Sequence, residues 1–312
     1  MTQGSTAAAA PGRWARFLDG DFWHSFRRSP VAMSAAGVAL VFLLAAVFAN
    51  WVAPHDPFNL ATLELSDSML PPAWMTGGMA KYPLGTDEQG RDVLSALMFG
   101  ARISLFVGAA SVLLSLLVGV SLGLLSGYVG GRLDALIMRI CDVTLSFPSI
   151  LIALLFAGVG HALFPNANDL LAFSVVIIAI ALPGWVQYAR AVRGSTMVER
   201  HKEYVQAARV IGVPPLRIML RHVLPNVMGP VFVLSTIQVA VAILAEATLS
   251  FLGVGVSPTS PSLGTFINEG NKQLFSGAWW LVILPGATLV LIALSINLFG
   301  DWLRDALNPR LR

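Results

Sequence analysis

Six apolar windows, each long enough to cross a bilayer and almost free of charge, recur along the chain and restrict its fold more than any other feature. They lie near Val31 to Ala53, Ile103 to Gly127, Val143 to Leu163, Leu170 to Ala189, Gly229 to Leu249 and Ala278 to Phe299. A spanning helix uses roughly 20 apolar residues. In hydrocarbon, backbone polar groups must be paired within one helix or around a closed barrel, and barrel strands alternate apolar with polar residues. These windows do not alternate. The expected fold class is therefore all-α, a polytopic membrane protein with six transmembrane helices.

Composition agrees with lipid as the solvent: 56% of residues are hydrophobic and 12% charged, against about a quarter charged in soluble domains. The formal net charge of +3 is spread among apolar stretches, so no basic patch with interleaved aromatics marks a nucleic-acid partner. Cys141 is the single cysteine, which excludes an intrachain disulfide, and His24, His55, His161, His201 and His222 are too scattered for metal-ligand spacing. No metal site is expected. The uncharged run from Ser29 to Pro54 holds 26 residues, more than the roughly 7–15 of a cleavable signal core, so it reads as a retained anchor.

Cytoplasmic segments retain the excess of Lys and Arg. With the N-terminus inside, 16 of the 20 basic residues fall on the inner side, leaving Lys81, Arg91, Arg102 and Lys272 outside. Both termini are then cytoplasmic. The chain divides into a cytoplasmic segment 1–30, a first span 31–53, an outer connection 54–102 with an amphipathic helix, a five-helix core 103–300 containing the inner connection 190–225, and a cytoplasmic tail 301–312.

The inner connection carries seven basic residues, and from Glu203 to Asn226 it reads EYVQAARVIGVPPLRIMLRHVLPN. Gly212, Pro214 and Pro215 interrupt helical periodicity, and either proline can open a new helix. Beyond them Leu216, Met219, Leu220 and Val223 recur at helical spacing, with Arg217 and Arg221 elsewhere on the circumference. Composition alone leaves two readings open: a helix held against anionic lipid, or a docking element. The spacing resembles the Glu-Ala-Ala loop of ATP-binding-cassette importer permeases, with Gln206, Ala207, Ala208, Gly212, Leu224 and Pro225 at the motif positions. Gln206 stands in place of the usual acid and His222 in place of the usual apolar residue. The resemblance implies that this loop seats in a cleft of a cytoplasmic ATPase, the small Ala207 and Ala208 allowing close approach. No G-x-x-x-x-G-K-[ST] run occurs in the chain, so a phosphate-loop nucleotide site is not expected here.

In the outer connection, LGTDEQGRDVLSALMFGARISL runs from Leu84 to Leu105. Its bottom-up reading is a surface helix leading into the second span, with Val93, Leu94, Leu97 and Met98 on one face and Arg91 and Arg102 placed to reach headgroups. The segment resembles the signature of the shorter permease subunit of the dipeptide and oligopeptide importer family. FWHSFRRSP from Phe22, APHDP from Ala53, GYVGGRLDALIMRICDV from Gly127, LSFLGVG from Leu249 and LRDALNPRLR from Leu303 extend the likeness. The resemblance implies a type I importer permease fold in a bacterial inner membrane. It also implies a second, homologous permease, two ATPase subunits carrying ATP and Mg, and an external substrate-binding protein facing Asp87, Gly90, Arg91 and Asp92. No cofactor is expected on this chain, nor any catalytic residue. Peptide is the implied cargo, with nickel, glutathione or opine-like solutes as the family's alternatives.

Glu246 is the one acid within the predicted spans. At membrane depth a carboxylate needs water, a partner or a proton, so Glu246 is read either as a loop-anchoring group or as a gate on the path. Gln187, Gln238 and Asn297 are further polar candidates. Ser111, Ser115, Gly119, Gly123 and Gly127 recur at every fourth residue, a ladder suited to close helix packing. An ion-driven secondary transporter would call for inverted repeats with ion ligands at mid-membrane, and an intramembrane enzyme for a paired acid and base. Neither pattern is present in the sequence.

Overall fold

The computed structural model of the protein describes residues 21–59, 64–165, 168–257 and 259–307. Those residues form helices and connections with no β-strand, apart from one isolated bridge between Thr86 and Asp92. The N-terminal pair is α1 (Asp21–Arg28) and α2 (Pro30–Val47), separated at Ser29, whose hydroxyl accepts from Ala32 N at 3.2 Å while Pro30 opens α2. A single turn, α3 (Ala49–Val52), follows.

The longest helix is α4 (Val93–Val129), capped by the Asp92 carboxylate on Ser95 N. Its 37 residues at about 1.5 Å each reach about 55 Å, well beyond a hydrocarbon core of about 30 Å. The outer amphipathic segment is thus not a separate surface helix; nothing breaks the helix between Val93 and the second span. Val93 and Leu97 are buried in a cluster with Leu263, Trp280 and Leu281.

The third crossing is broken. Helices α5 (Gly131–Leu145) and α6 (Ser149–Leu163) meet at 90°. Pro148 disfavours helical backbone at Phe147 and cannot continue the hydrogen-bond ladder of α5. Pro183, Pro230 and Pro285 by contrast sit inside continuous helices. Helix α7 (Asp169–Glu199) carries the fourth crossing and runs on past Ala189. After α8 (Glu203–Val210), the short α9 (Pro215–Ile218) passes through a π-helical turn (Met219–Val223) into α10 (Leu224–Phe251). Then come α11 (Leu263–Lys272), opened by a Ser262–Thr265 capping box, and α12 (Trp280–Leu307). Five stretches are long and apolar enough to span, and the bent α5–α6 pair makes the sixth.

Helices α4 and α7 form the spine. A Cβ on Gly119 would stand 2.4 Å from Trp185 O, one on Gly123 2.5 Å from Ala189 O, and one on Gly127 2.7 Å from Thr196 Cβ. The Ser115 hydroxyl donates to Ala181 O at 3.2 Å. The four-residue ladder is therefore a packing face, and the backbones meet where side chains are missing. Around it Val107, Val176, Val192, Val231 and Leu249 are fully buried.

Helix α2 is fastened by Arg102. Its guanidinium donates to Ala46 O at 2.7 Å, Val47 O at 3.1 Å and Asn50 Oδ1 at 3.0 Å. The first two are carbonyls of the last turn of α2, where a cation also opposes the helix dipole, and the third is a side-chain amide in α3. The expectation that Arg102 reaches lipid headgroups is corrected: the unpaired carbonyls of α2 take it instead.

Candidate functional site

At the end that charge counting assigns to the cytoplasm, α7 carries Arg190 and Arg193 as helical residues rather than loop residues, and both bind α5. Arg190 pairs with Asp142 at 2.5 Å, and Arg193 grips Asp134 at 2.5 and 2.7 Å. Arg200 donates to Gly127 O at 2.9 Å, Lys202 pairs with Glu199 at 3.0 Å, and Arg209 lies 5.0 Å from the centre of the Tyr128 ring. Most of the basic charge of this connection is thus spent on its own scaffold.

Tyr204 ties α8 to the start of α10. Its hydroxyl donates to Glu199 Oε1 at 2.5 Å and accepts from Asn226 Nδ2 at 3.2 Å, and Asn226 also donates to His222 O at 2.7 Å. Partial burial, reinforced by the Glu199 carboxylate, pushes the Tyr204 phenol up to about 12, so it stays a donor at every physiological pH. Gln206, where an acid is usual, donates to Arg200 O at 3.3 Å, a bond a carboxylate could not make.

The tip has a buried underside and an apolar outside. Val205, Ala208, Ile218, Met219 and Val223 are buried, whereas Val210 (86% exposed), Ile211 (78%), Leu216 (65%) and Leu220 (52%) face outward. Two expectations are corrected here. Leu216 and Leu220 do not share the buried face with Met219 and Val223, because the π turn shifts the phase of the helix. Of the alanine pair only Ala207 is exposed, while Ala208 packs inward. Gly212 adopts φ +79° with open space around it, so its role is the turn itself. Leu224 is half-buried and Pro225 exposed at the start of α10. The Val210–Ile211 pair was missed from the sequence, where it stands among other apolar residues of the connection with nothing local to mark which of them face outward.

In the connection before α4, Asp87, Gly90, Arg91 and Asp92 are brought together but turned inward. Asp87 accepts from Gln89 N and Arg91 N at 2.9 Å each and pairs with Arg91 Nε at 2.5 Å, while Arg91 reaches Glu269 of α11 at 2.9 Å. Gly90, at φ +75°, passes 2.6 Å from Glu64 O measured from a would-be Cβ. Asp92 caps α4 and bonds the Ser95 hydroxyl at 2.5 Å. Arg91 and Asp92 are 5% and 1% exposed, so these side chains brace the outer loop; Glu88 and Gln89 are the residues that face outward. Nearby, the Tyr82 hydroxyl at 2.8 Å and Lys81 at 3.3 Å hold the Asp67 carboxyl below its ordinary range.

Glu246 is fully buried, with Oε2 accepting from Ser104 Oγ at 2.7 Å and Oε1 from Ser250 Oγ at 2.6 Å. Ser104 in turn accepts from Leu263 N at 3.3 Å and Ser250 from Val256 N at 3.4 Å. This is the anchoring geometry, joining α4, α10 and the loop before α11. Glu246 does not line the cavity of about 460 Å³ that opens between α4, the α5–α6 bend, α7 and α10. Gln187, Gln238, Ser115 and Thr248 do line it, and Asn297 does not.

Residues 119–312 match the family described as binding-protein-dependent transport system inner membrane component, and residues 19–72 match the N-terminal TM domain of oligopeptide transport permease C. The chain is 42% identical over 293 residues to the di/tripeptide transport system permease protein DppC of Pseudomonas aeruginosa, covering 94% of this chain and 92% of that one. It is 40% identical over 292 residues to the dipeptide transport system permease protein DppC of Haemophilus influenzae, covering 94% and 95%. It is 36% identical over 292 residues to the glutathione transport system permease protein GsiD of Escherichia coli, covering 94% and 90%. Among solved structures, inward-facing MetNI methionine ABC transporter has a chain of the same fold, with a TM-score of 0.53 at 18% identity over 68% of this chain and 96% of that one.

Proposed function

Because this chain belongs to the family of binding-protein-dependent transport system inner membrane components, we propose that it forms one half of a heterodimeric translocation path for short peptides. It is a multi-pass ABC importer permease subunit, homologous to dipeptide permeases. A second permease completes the path, two cytoplasmic ATPases bearing ATP and Mg drive it, and an external binding protein delivers cargo. The chemistry of ATP hydrolysis lies on the ATPases, and this chain contributes a mechanical surface. Relatives are named for dipeptides, for di- and tripeptides and for glutathione, all of them short chains of amide-linked residues.

The observation that carries this reading is the cytoplasmic tip. Val210, Ile211, Leu216 and Leu220 stand 52–86% exposed on a scaffold fixed by the Tyr204, Arg193 and Arg200 contacts, and an apolar patch rimmed by polar groups marks a protein contact. Ile211→Glu combined with Leu220→Glu tests docking directly. Each charge buried in the contact costs about 2 kcal/mol or more, so the purified permease pair should lose its ATPases and its ATP-dependent uptake while remaining inserted. Unchanged co-purification and uptake would refute the docking role.

A further inference from the structure

Gln187 on α7 and Gln238 on α10 lie within predicted spans and line the same cavity. Gln187 is exposed and Gln238 half-exposed, and neither amide has a hydrogen-bond partner among the described residues. An amide facing hydrocarbon without a partner is unfavourable, so these two face water, cargo or a second protein. The walls around them supply neutral hydrogen-bonding groups from Ser115, Thr144, Ser149 and Thr248, and no charged side chain. Near the inner end of this region Arg190 is paired with Asp142 and Arg193 with Asp134.

A short peptide in its usual zwitterionic form carries a charge at each end and an amide between. A path wall with a fixed charge would hold one terminus strongly, whereas transport requires binding weak enough to release. A carboxamide offers both a donor and an acceptor, the complement of a peptide N–H and C=O. The cavity volume of about 460 Å³ is of the size that holds small ligands.

Resting on the permease reading above, we propose that Gln187 and Gln238 contact the peptide amide of the cargo in transit, and that this uncharged wall passes short peptides whatever charge their side chains carry. The test uses the full importer, with its second permease, ATPases and binding protein, reconstituted in vesicles. Gln187→Leu combined with Gln238→Leu should raise the KM for alanyl-alanine uptake about tenfold, by loss of two neutral hydrogen bonds, with complex assembly and binding-protein-stimulated ATP hydrolysis intact. Gln187→Glu, at the more exposed position, should lower uptake of alanyl-glutamate relative to alanyl-lysine by about fivefold, as a fixed charge discriminates where a neutral wall does not. Wild-type kinetics for all of these peptides in both variants would overturn the proposal and leave the permease reading standing. Dissociation of the second permease from the double Leu variant would also overturn it, assigning the amides to the subunit interface. Absence of ATP-driven dipeptide uptake by the wild-type complex would overturn the permease reading, and this inference with it.

Discussion

A carboxylate at membrane depth is costly unless its oxygens are used, and Glu246 uses both. Ser104 and Ser250 donate to it while their own oxygens hold Leu263 N and Val256 N, so one side chain fixes the C-terminal end of α10 to α4 and to the entry of α11. Glu246→Gln keeps an acceptor and gains a donor that a serine oxygen can take. It should therefore transport as the wild type does. Glu246→Ala strands buried hydroxyls and should cost about 1–3 kcal/mol, read as a lowered unfolding midpoint of the detergent-purified protein. Equal loss in the two variants would point to a role for the charge itself. Arg91 and Arg102 follow the same rule: each looked free in the sequence, and each is engaged by groups remote in sequence, Glu269 for one and the last carbonyls of α2 for the other.

Helix pairs are decided by where side chains are absent. The α4–α7 contact closes over Gly119, Gly123 and Gly127, each with backbone or a Cβ inside 3 Å of a would-be methyl. Gly123→Ala pushes α4 off Ala189 and should lower stability by about 1–3 kcal/mol. Gly158, on α6, has nothing within 4 Å, and Gly158→Ala should be neutral or stabilising by about 0.5–1 kcal/mol through helix propensity. Thermal unfolding of the two variants side by side checks the contrast, and a reversed order would mean that the α4–α7 face gives more than its geometry indicates. The bend between α5 and α6 and the π turn before α10 mark the other places where an element departs from a straight helix. Both flank the cavity or the tip, so irregular backbone coincides with the surfaces assigned to function.

For the molecule as a whole, the basic asymmetry predicts cytoplasmic termini and a cytoplasmic tip, with the 54–102 connection outside. In a Cys141→Ala background, a cysteine at exposed Trp74 should react with a membrane-impermeant maleimide in intact spheroplasts. One at Val210 should react only after permeabilisation, and the opposite pattern would invert the topology. Hydropathy made the membrane class legible, because transfer into lipid depends on local composition summed over about 20 residues, whereas the orientation rests on the charge count and on this labelling test. The small-residue ladder was equally legible as packing, since its four-residue period needs only helical geometry. What the linear pattern did not disclose was which side chains pair. Asp87, Arg91 and Asp92 read as an outward surface and proved an inward brace, Leu216 and Leu220 left the buried face when a π turn altered the helical phase, and of the two readings left open for Glu246 the geometry takes the anchor. Two of those outcomes depend on contacts spanning more than a hundred residues, Ser104 with Glu246 and Arg91 with Glu269; the π turn is a local departure that periodicity does not announce. Local composition fixes where a segment resides; only tertiary packing decides which of its polar groups remain unsatisfied and so available for cargo or a partner.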